Sequence, residues 1–582
     1  VLCRGRRGIC CARGVRLPLL RSFQGHGRDQ IGPDLLAGLT VWAVLVPEAL
    51  AYATIAGVSP VIGLYAAPAA LILYALFGSS RHLVVGPMAA TAALSAAAVA
   101  SISGGGNAAA MTAALALVVG VLAVLAAVAR LGFVASFISE PVLKGFIVGL
   151  ALTIIVGQLT NLFGVPRGEG DFFEKTWHLV TSLGETNGWT LAVGASSLAV
   201  VLMLHKVSPR LPAPLIAVVL GILVVAVFGL DSEGVAIVGQ IEGGLPPLGL
   251  PSVAGSDYVA LLGSAVGILL VAFAEGVGAA KNYAAKGHYD VDPNQELLGV
   301  GAANIGAGLS SGMIVNGSLS KTAVNVSAGA VSQMSGIVVA ALTVMTLLFL
   351  TDLFANLPEA TLAAVVIAAV TKLVDFRTLR RYARLTTPNL RRIYGVAAYA
   401  DFLAAVCAMV GVLVFDILPG LFIGVAVSVL LLLYRASRPH VAELGRTRDR
   451  RWVDLQRNPD ALIEPEIVVL RPESGLIYAN ADNVAGAVRG HLHDDTRAVV
   501  LDTTAVPSID ITAVEMLDRL SADLDQRHIR LHFAGEIGQV RDLLSATGIS
   551  SVVTDAHPTV DAAVTAARHD LDHPPSTDRR SA

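Results

Sequence analysis

From about residue 33 to 435 apolar residues run in long, nearly unbroken stretches, and after about 463 they come in short bursts separated by polar residues. The two patterns predict different structures in succession. The long stretches fall near 35–56, 61–78, 84–102, 109–129, 141–163, 190–205, 213–230, 258–280, 297–312, 318–329, 332–353, 359–373, 394–415 and 418–434. They make about fourteen segments, several of which match the ~20 residues a helix needs to cross a bilayer. Those starting near 84 and 318 are short, rich in Ala and interrupted by Gly, Pro or Ser. Beyond 463, strand-like runs at 466–471, 476–479, 498–502, 530–534 and 551–554 alternate with helical patterns near 482–492, 512–527, 536–547 and 558–569. Such alternation predicts a small α/β domain. The organisation expected is a basic tail over 1–30, a transmembrane unit over 31–440, a linker over 441–462, an α/β domain over 463–570 and a disordered end over 571–582.

Composition supports this division. The 582 residues are 54% hydrophobic and 15% charged, with a mean hydropathy of +0.68, too little polar surface for an ordinary soluble chain. About 38 of the 85 charged side chains lie in 441–582. Four cysteines, Cys3, Cys10, Cys11 and Cys407, offer neither a disulfide framework nor metal-ligand spacing, so no cofactor or metal is expected. No phosphate-binding G-x-x-x-x-G-K-[ST] loop occurs. Seven arginines crowd residues 1–30 without an apolar core, as in a cytoplasmic tail rather than a secretory signal. Basic loops carrying Arg81, His82, Lys206, Arg210, Lys281, Lys286 and the cluster Arg377, Arg380, Arg381, Arg384, Arg391, Arg392 fall on one side of the fourteen segments. Acidic loops with Glu169, Asp171 and Glu174, and with Asp231, Glu233 and Glu242, fall on the other, which predicts both termini in the cytoplasm.

A charge near the bilayer centre costs at least about 2.5 kcal/mol, so each ionisable residue within a span needs a reason. Glu48, Glu140, Lys144, Glu275 and Lys321 are those residues. Glu140 and Lys144, four apart on one helix face, predict an interfacial salt bridge. Glu275 is too short to snorkel, which makes it a functional candidate against a structural pair. Glu48 follows Pro47, where a missing amide allows a local break and a cavity-lining carboxylate, the alternative being a buried ion pair. The short segments open with Gly86-Pro87-Met88-Ala89 and Gly317-Ser318-Leu319-Ser320-Lys321-Thr322. In each a helix breaker precedes a helix-compatible run, predicting helices that begin inside the membrane. Such a start exposes unpaired amides and about +0.5 charge, and two of them meeting form an anion cradle. Lys321 adds a full positive charge and Ser318, Ser320 and Thr322 add hydroxyls. The competing explanation is a pair of small-residue packing faces. Ser318-x-x-Lys321 also matches a penicillin-interacting pattern, but the accompanying motifs are missing.

Asp34-Leu-Leu-Ala-Gly-Leu-Thr-Val, Ala51-Tyr-Ala-Thr-Ile-Ala-Gly57, Pro60-Val-Ile-Gly-Leu-Tyr65, Phe77-Gly-Ser-Ser-Arg81, Val85-Gly-Pro87 and Gly317-Ser-Leu-Ser-Lys-Thr-Ala-Val-Asn325 together resemble the sulfate permease (SulP) anion transporters over about 31–570. The resemblance implies a seven-plus-seven inverted repeat with two half-helices, a core of segments 1–4 and 8–11 moving against a gate of 5–7 and 12–14, a cytoplasmic STAS domain and a homodimer. It places the substrate site on Gly86, Pro87, Met88 and Ala89 and on Ser318, Leu319, Ser320 and Lys321, and a cation-coupling acid on Glu275. Many relatives carry Gln where Glu48 stands and Arg where Lys321 stands. A carboxylate beside an anion favours proton coupling, and Lys lacks the bidentate fork of Arg. In the tail, Val499-Val-Leu-Asp-Thr-Thr-Ala-Val-Pro-Ser-Ile-Asp-Ile-Thr512 looks like a STAS signature loop, with Thr512 at a position phosphorylated in some relatives. Thr512-x-x-Glu515 also reads as a helix capping box.

The expected function is secondary active transport of a small anion (sulfate, bicarbonate or a dicarboxylate) across a bacterial inner membrane by alternating access. Protons, or alternatively sodium, couple it, and neither covalent chemistry nor nucleic acid takes part. Alternatives are a nucleobase–cation symporter of the same architecture, which leaves the STAS tail unexplained, an anion channel or voltage-responsive membrane protein, and a scaffold whose STAS domain binds soluble partners.

Overall fold

The computed structural model describes residues 20–23, 30–103, 107–133, 139–166, 168, 170–207, 212–240, 243–385, 399–415, 417–535 and 556–573. Expected features at 536–547 and 551–554, most of both tails, and Arg391 and Arg392 lie outside them. By backbone contacts the chain divides into a first unit ending at Ser428 and a second that contains the α/β tail.

The first repeat comprises α1 (Ile31–Ile55), α2 (Pro60–Phe77), β1 (Val84–Gly86), α3 (Ala89–Ser103), α4 (Ala108–Val128), α5 (Glu140–Phe163), α6 (Phe172–Thr181), α7 (Gly188–Val207) and α8 (Ala213–Phe228). The second comprises α9 (Gly255–Lys286), α10 (Pro293–Leu309), β2 (Asn316–Ser318), α11 (Leu319–Ser327), α12 (Met334–Phe349), α13 (Glu359–Thr371), α14 (Phe376–Leu385), α15 (Ala400–Phe415) and α16 (Ile417–Ser437). Fourteen helices match the fourteen apolar runs, and six are long and apolar enough to cross a membrane on length and composition alone. The short helices α6 and α14 were not foreseen from the sequence. They occupy equivalent places, after the fifth segment of each repeat. Both are amphipathic and too short to register as apolar runs.

Local chemistry sets the boundaries. Asp292 caps α10 by accepting from the Asn294 and Gln295 amides, with Pro293 at the first helical position. Gly164 ends α5 in the left-handed region at φ 69°. Helix α1 runs unbroken through Pro47, contrary to the break expected there, since neighbouring helices hold it on several sides. Helices α1–α4 pack among α9–α12, while α5, α7, α8 and α13 form a second group. Where α4 crosses α10, a Cβ at Gly301 would lie 2.9 Å from Val124 and 3.0 Å from the Gly120 carbonyl, so only glycine permits that approach. Glu140 and Lys144 do not form the expected i,i+4 pair. Nearby, the Thr378 hydroxyl and amide hold the Asp375 carboxyl below the usual range.

The second unit folds around a six-stranded sheet in the order β4-β3-β5-β6-β7-β8. Its strands are β3 (Val441–Arg446), β4 (Trp452–Asp454), β5 (Ile467–Pro472), β6 (Ala498–Asp502), β7 (Arg530–Ala534) and β8 (Ala556–His557). Strands β5 to β8 are parallel, and β3 runs antiparallel to both its neighbours. Period-two alternation divides the side chains between two faces. Val468, Leu470, Val499 and Leu501 pack under α17 (Ala481–Gly490) and α18 (Ile511–Gln526). Ile467, Val469, Ala498 and Val500 pack under α19 (Val560–Asp572). Residues 441–462, expected to be a linker, thus supply two strands; the charged Glu443 and Arg446 mask β3 in the sequence. The run at 476–479 is no strand, and only a single bridge joins Leu476 to Ile509.

Candidate functional site

The two extended lead-ins β1 and β2 pair antiparallel, Val84 with Ser318, Val85 with Gly317 and Gly86 with Asn316. Helix α3 starts just beyond one end of this ladder and α11 just beyond the other. The sequence breaks are what make this possible: Gly86-Pro87 and Gly317 stop helix propagation, and the freed backbone pairs with its counterpart from the other repeat. Hydrogen bonds lock the ladder. The Thr322 hydroxyl accepts from the Val84 amide at 3.0 Å and donates to Ser318 O at 2.5 Å. Asn325 Nδ2 donates to His82 O at 2.9 Å, and Gln333 Nε2 to Ser80 O and Leu83 O. Ser318 caps α11, its Oγ accepting from the Lys321 amide at 3.3 Å.

Lys321 is 1% exposed, and its ammonium is paired. It lies 2.9 Å from Glu48 Oε2 and donates to Pro87 O at 2.9 Å. It also sits 5.1 Å from the centre of the Tyr52 ring, a cation–π distance. Glu48, from the middle of α1, is therefore an ion-pair partner, the alternative that the sequence left open for it. One side chain connects α1, the start of α3 and the first turn of α11. Gly86, Pro87, Ala89 and Ser318 are buried, Met88 is half-buried, and Leu319 and Ser320 are exposed. Leu319 is 51% exposed.

Glu275 comes close to the same ladder from α9. A Cβ on the next residue, Gly276, would meet Asn316 Oδ1 at 2.9 Å. Among the described residues, Glu275 Oε2 and both side-chain polar atoms of Asn316 are buried without a hydrogen-bond partner. Sequence reasoning missed Asn316 and Tyr52. A polar amide immediately before the Gly317 break was the available signal for the first, and only the fold identifies the second.

Two further features frame the site. A second polar cluster clamps the loops beside it: Glu296, 1% exposed, accepts from the Tyr74 hydroxyl, the Ser79 amide and hydroxyl and the Ser80 amide. Tyr289 bonds the Ser80 hydroxyl and His82 Nδ1 and stacks under Arg81. Burial holds the His82 imidazole below its usual pKa. In addition, a cavity of about 280 Å³ separates α1 and α3 from α5, lined by Thr54, Ala97, Gln158, Thr160 and Lys175.

In the α/β unit Thr512 is exposed in the first turn of α18 and does not cap it. Asp510 is the cap, with Oδ1 accepting from the Ala513 amide at 2.9 Å and Oδ2 from the Tyr478 amide at 2.6 Å. The capping-box reading of Thr512 is overturned because the helix starts at Ile511, two residues earlier than that box requires.

The model of the sulfate permease family matches residues 31–393, and that of the STAS domain matches 458–563. A probable sulfate transporter of Mycobacterium tuberculosis is 37% identical over 546 residues, covering 93% of this chain and 95% of that protein. The chloroplastic sulfate transporter 4.1 of Arabidopsis thaliana is 31% identical over 544 residues, 89% of this chain and 77% of that one. The structure of the murine Slc26a9 anion transporter in its inward-facing state superposes with a TM-score of 0.84 at 21% identity, covering 97% of this chain and 96% of that one. The transmembrane domain of the cyanobacterial bicarbonate transporter BicA gives 0.57 at 20% identity over 69% of this chain and 98% of that one. Paired half-helix starts and an appended α/β sheet thus coincide with a matching family model over most of the membrane unit, and the chain belongs to the sulfate permease family, with a C-terminal STAS domain.

Proposed function

We propose that the protein is a secondary transporter of a small oxyanion, sulfate first among sulfate, bicarbonate and dicarboxylates, working by alternating access with proton coupling. The observation that carries this reading is the Lys321–Pro87 bond, which ties the first turn of α11 to the start of α3 beside the β1–β2 ladder. Helix starts attract anions through unpaired amides and a partial positive charge, and the neighbouring hydroxyls of Ser318 and Ser320 supply donors. Gly86, Pro87, Met88 and Ala89 on one side and Ser318, Leu319, Ser320 and Lys321 on the other form the substrate site, with Glu48 beside it. The sulfate transporters among the relatives favour sulfate as the first probe. The cavity between α1, α3 and α5 supports a core group moving against a gate group.

Glu275 is the coupling acid in this reading, its Oε2 being buried with no hydrogen-bond partner among the described residues. A proton there offsets part of the anion's charge as it crosses the membrane field, where each uncompensated charge feels about 2.3 kcal/mol per 100 mV. The protein works as a homodimer in the bacterial inner membrane with both termini cytoplasmic. That sidedness is supported by the Arg81–His82 loop meeting the Tyr289 loop, both on the basic side of the segments. Thr512, exposed on α18, is a regulatory phosphorylation position on the STAS domain, which also serves as a docking module for a soluble partner.

The test is uptake of radiolabelled sulfate into proteoliposomes with and without an inward acid gradient. Wild type is expected to accumulate sulfate several-fold more with the gradient, and Glu275→Gln to lose that stimulation. A gradient response undiminished in Glu275→Gln removes this residue from coupling.

A further inference from the structure

The helix starts attract an anion, but the charge of the site is already balanced before one arrives. Lys321 and Glu48, 1% and 6% exposed, form a pair at 2.9 Å that is neutral as a whole. An anion that settles against the Lys321 ammonium therefore also has the Glu48 carboxylate near it, 2.9 Å from that ammonium. Inside a protein two negative charges sharing one cation repel strongly, and the usual resolution is that one of them takes a proton. The substrate arrives charged, so the acid that can give way is Glu48.

Other groups around Glu48 leave few alternatives. Elements α3, α8 and α12, which pack on α1, carry no titratable side chain. Helix α2 offers Tyr65 and Tyr74, the latter committed to Glu296. Helix α11 brings Lys321. Helix α13 brings Glu359 at its start and, just past its end, Lys372, which senses the Glu48 charge. On α1 itself the Tyr52 hydroxyl stands beside the Glu48 carboxylate, and Asp34, a turn from the far end, is held by the Val331 and Ser332 amides. Among the described residues, no second cation forms an ion pair with Glu48.

We propose that Glu48 is a proton-binding site of the transport cycle. When the anion binds, a proton from water moves onto the Glu48 carboxylate, the ion pair with Lys321 breaks, and the ammonium passes to the anion. When the anion leaves, the proton leaves with it on the same side and the pair re-forms. One proton is carried per anion at this site and no other bond changes. This inference rests on the reading that the anion sits at the helix starts, and it adds a second acid to Glu275: two carboxyls suffice to offset both charges of a divalent anion such as sulfate.

Full-length wild type, Glu48→Gln, Glu48→Asp and Glu275→Gln in proteoliposomes separate the possibilities, with sulfate uptake measured alongside proton entry by a trapped pH dye. Binding linked to one proton weakens on the order of tenfold per pH unit above the site's pKa. Glu48→Gln is expected to flatten the pH dependence of the sulfate KM by that slope and to carry one proton fewer per sulfate. Glu48→Asp is expected to keep both. Equal slope and equal proton number in wild type and Glu48→Gln overturn the proposal while leaving anion transport standing. No uptake of any tested anion by wild type takes down the functional reading itself, and this inference with it. If Glu48→Gln fails to fold, infrared difference spectra on sulfate addition decide instead: a protonated-carboxyl band that moves in Glu48→Asp is expected, and its absence from wild type overturns the assignment.

Discussion

Lys321 has its full charge in the apolar part of the chain, and two groups make it tolerable there: the Glu48 carboxylate and the Pro87 carbonyl. A buried pair of this kind adds little net stability, because desolvation offsets most of its attraction, but removing one partner leaves the other stranded. Lys321→Met is therefore expected to destabilise the full-length protein by about 3–5 kcal/mol. The double substitution Glu48→Leu with Lys321→Met should recover most of that loss, both read as thermal unfolding in detergent. A double variant no more stable than Lys321→Met would mean that Glu48 is not the stranded group. The sequence marks these residues as charges needing a reason, since ionisable side chains are scarce in the spans. It leaves an ion pair as one of two readings for Glu48 and names no partner, and the fold supplies Lys321.

Among the elements, those whose signal is local were the most legible. The breaks at Gly86-Pro87 and Gly317 announced two helix starts, and β5, β6, β7 and α18 fall close to where alternation placed them. Elements with weak or mixed local signals were not: α6 and α14 are too short to form apolar runs, and β3 carries charges among its apolar residues. Capping shows how a shift of one or two residues reassigns a role. Asp510 bonds the Ala513 amide, so Asp510→Ala should cost about 1 kcal/mol. Thr512→Ala should be close to neutral, with both measured by thermal unfolding of the full-length chain. A larger loss from Thr512→Ala than from Asp510→Ala would restore the capping-box reading.

Across the whole molecule, the boundary of the α/β unit follows from strand pairing rather than from charge content. Because β3 pairs with β5, a chain ending at residue 462 keeps β3 and β4 but loses the strand that covers β3. The exposed edge is a template for aggregation. A chain ending near residue 438 removes the sheet as a unit. Size-exclusion profiles in detergent should show the shorter chain monodisperse and the longer one aggregated; two equally monodisperse profiles would mean that β3 does not depend on β5.

The sequence by itself determined the membrane class, the number of apolar segments, the two interrupted helices, the α/β tail and the short roster of charges that matter. Each depends on neighbours within a turn or two, where hydrophobic period, Gly and Pro act directly on the backbone. Only the tertiary structure decided that the two interruptions pair as a ladder, that Pro87 and Lys321 meet although 234 residues apart, that Glu48 compensates the ammonium, and that Asn316 packs against Gly276, its side-chain amide without a hydrogen-bond partner among the described residues. Those contacts are made by packing between segments far apart in the chain, and no periodicity along one segment records which side chain will lie opposite it.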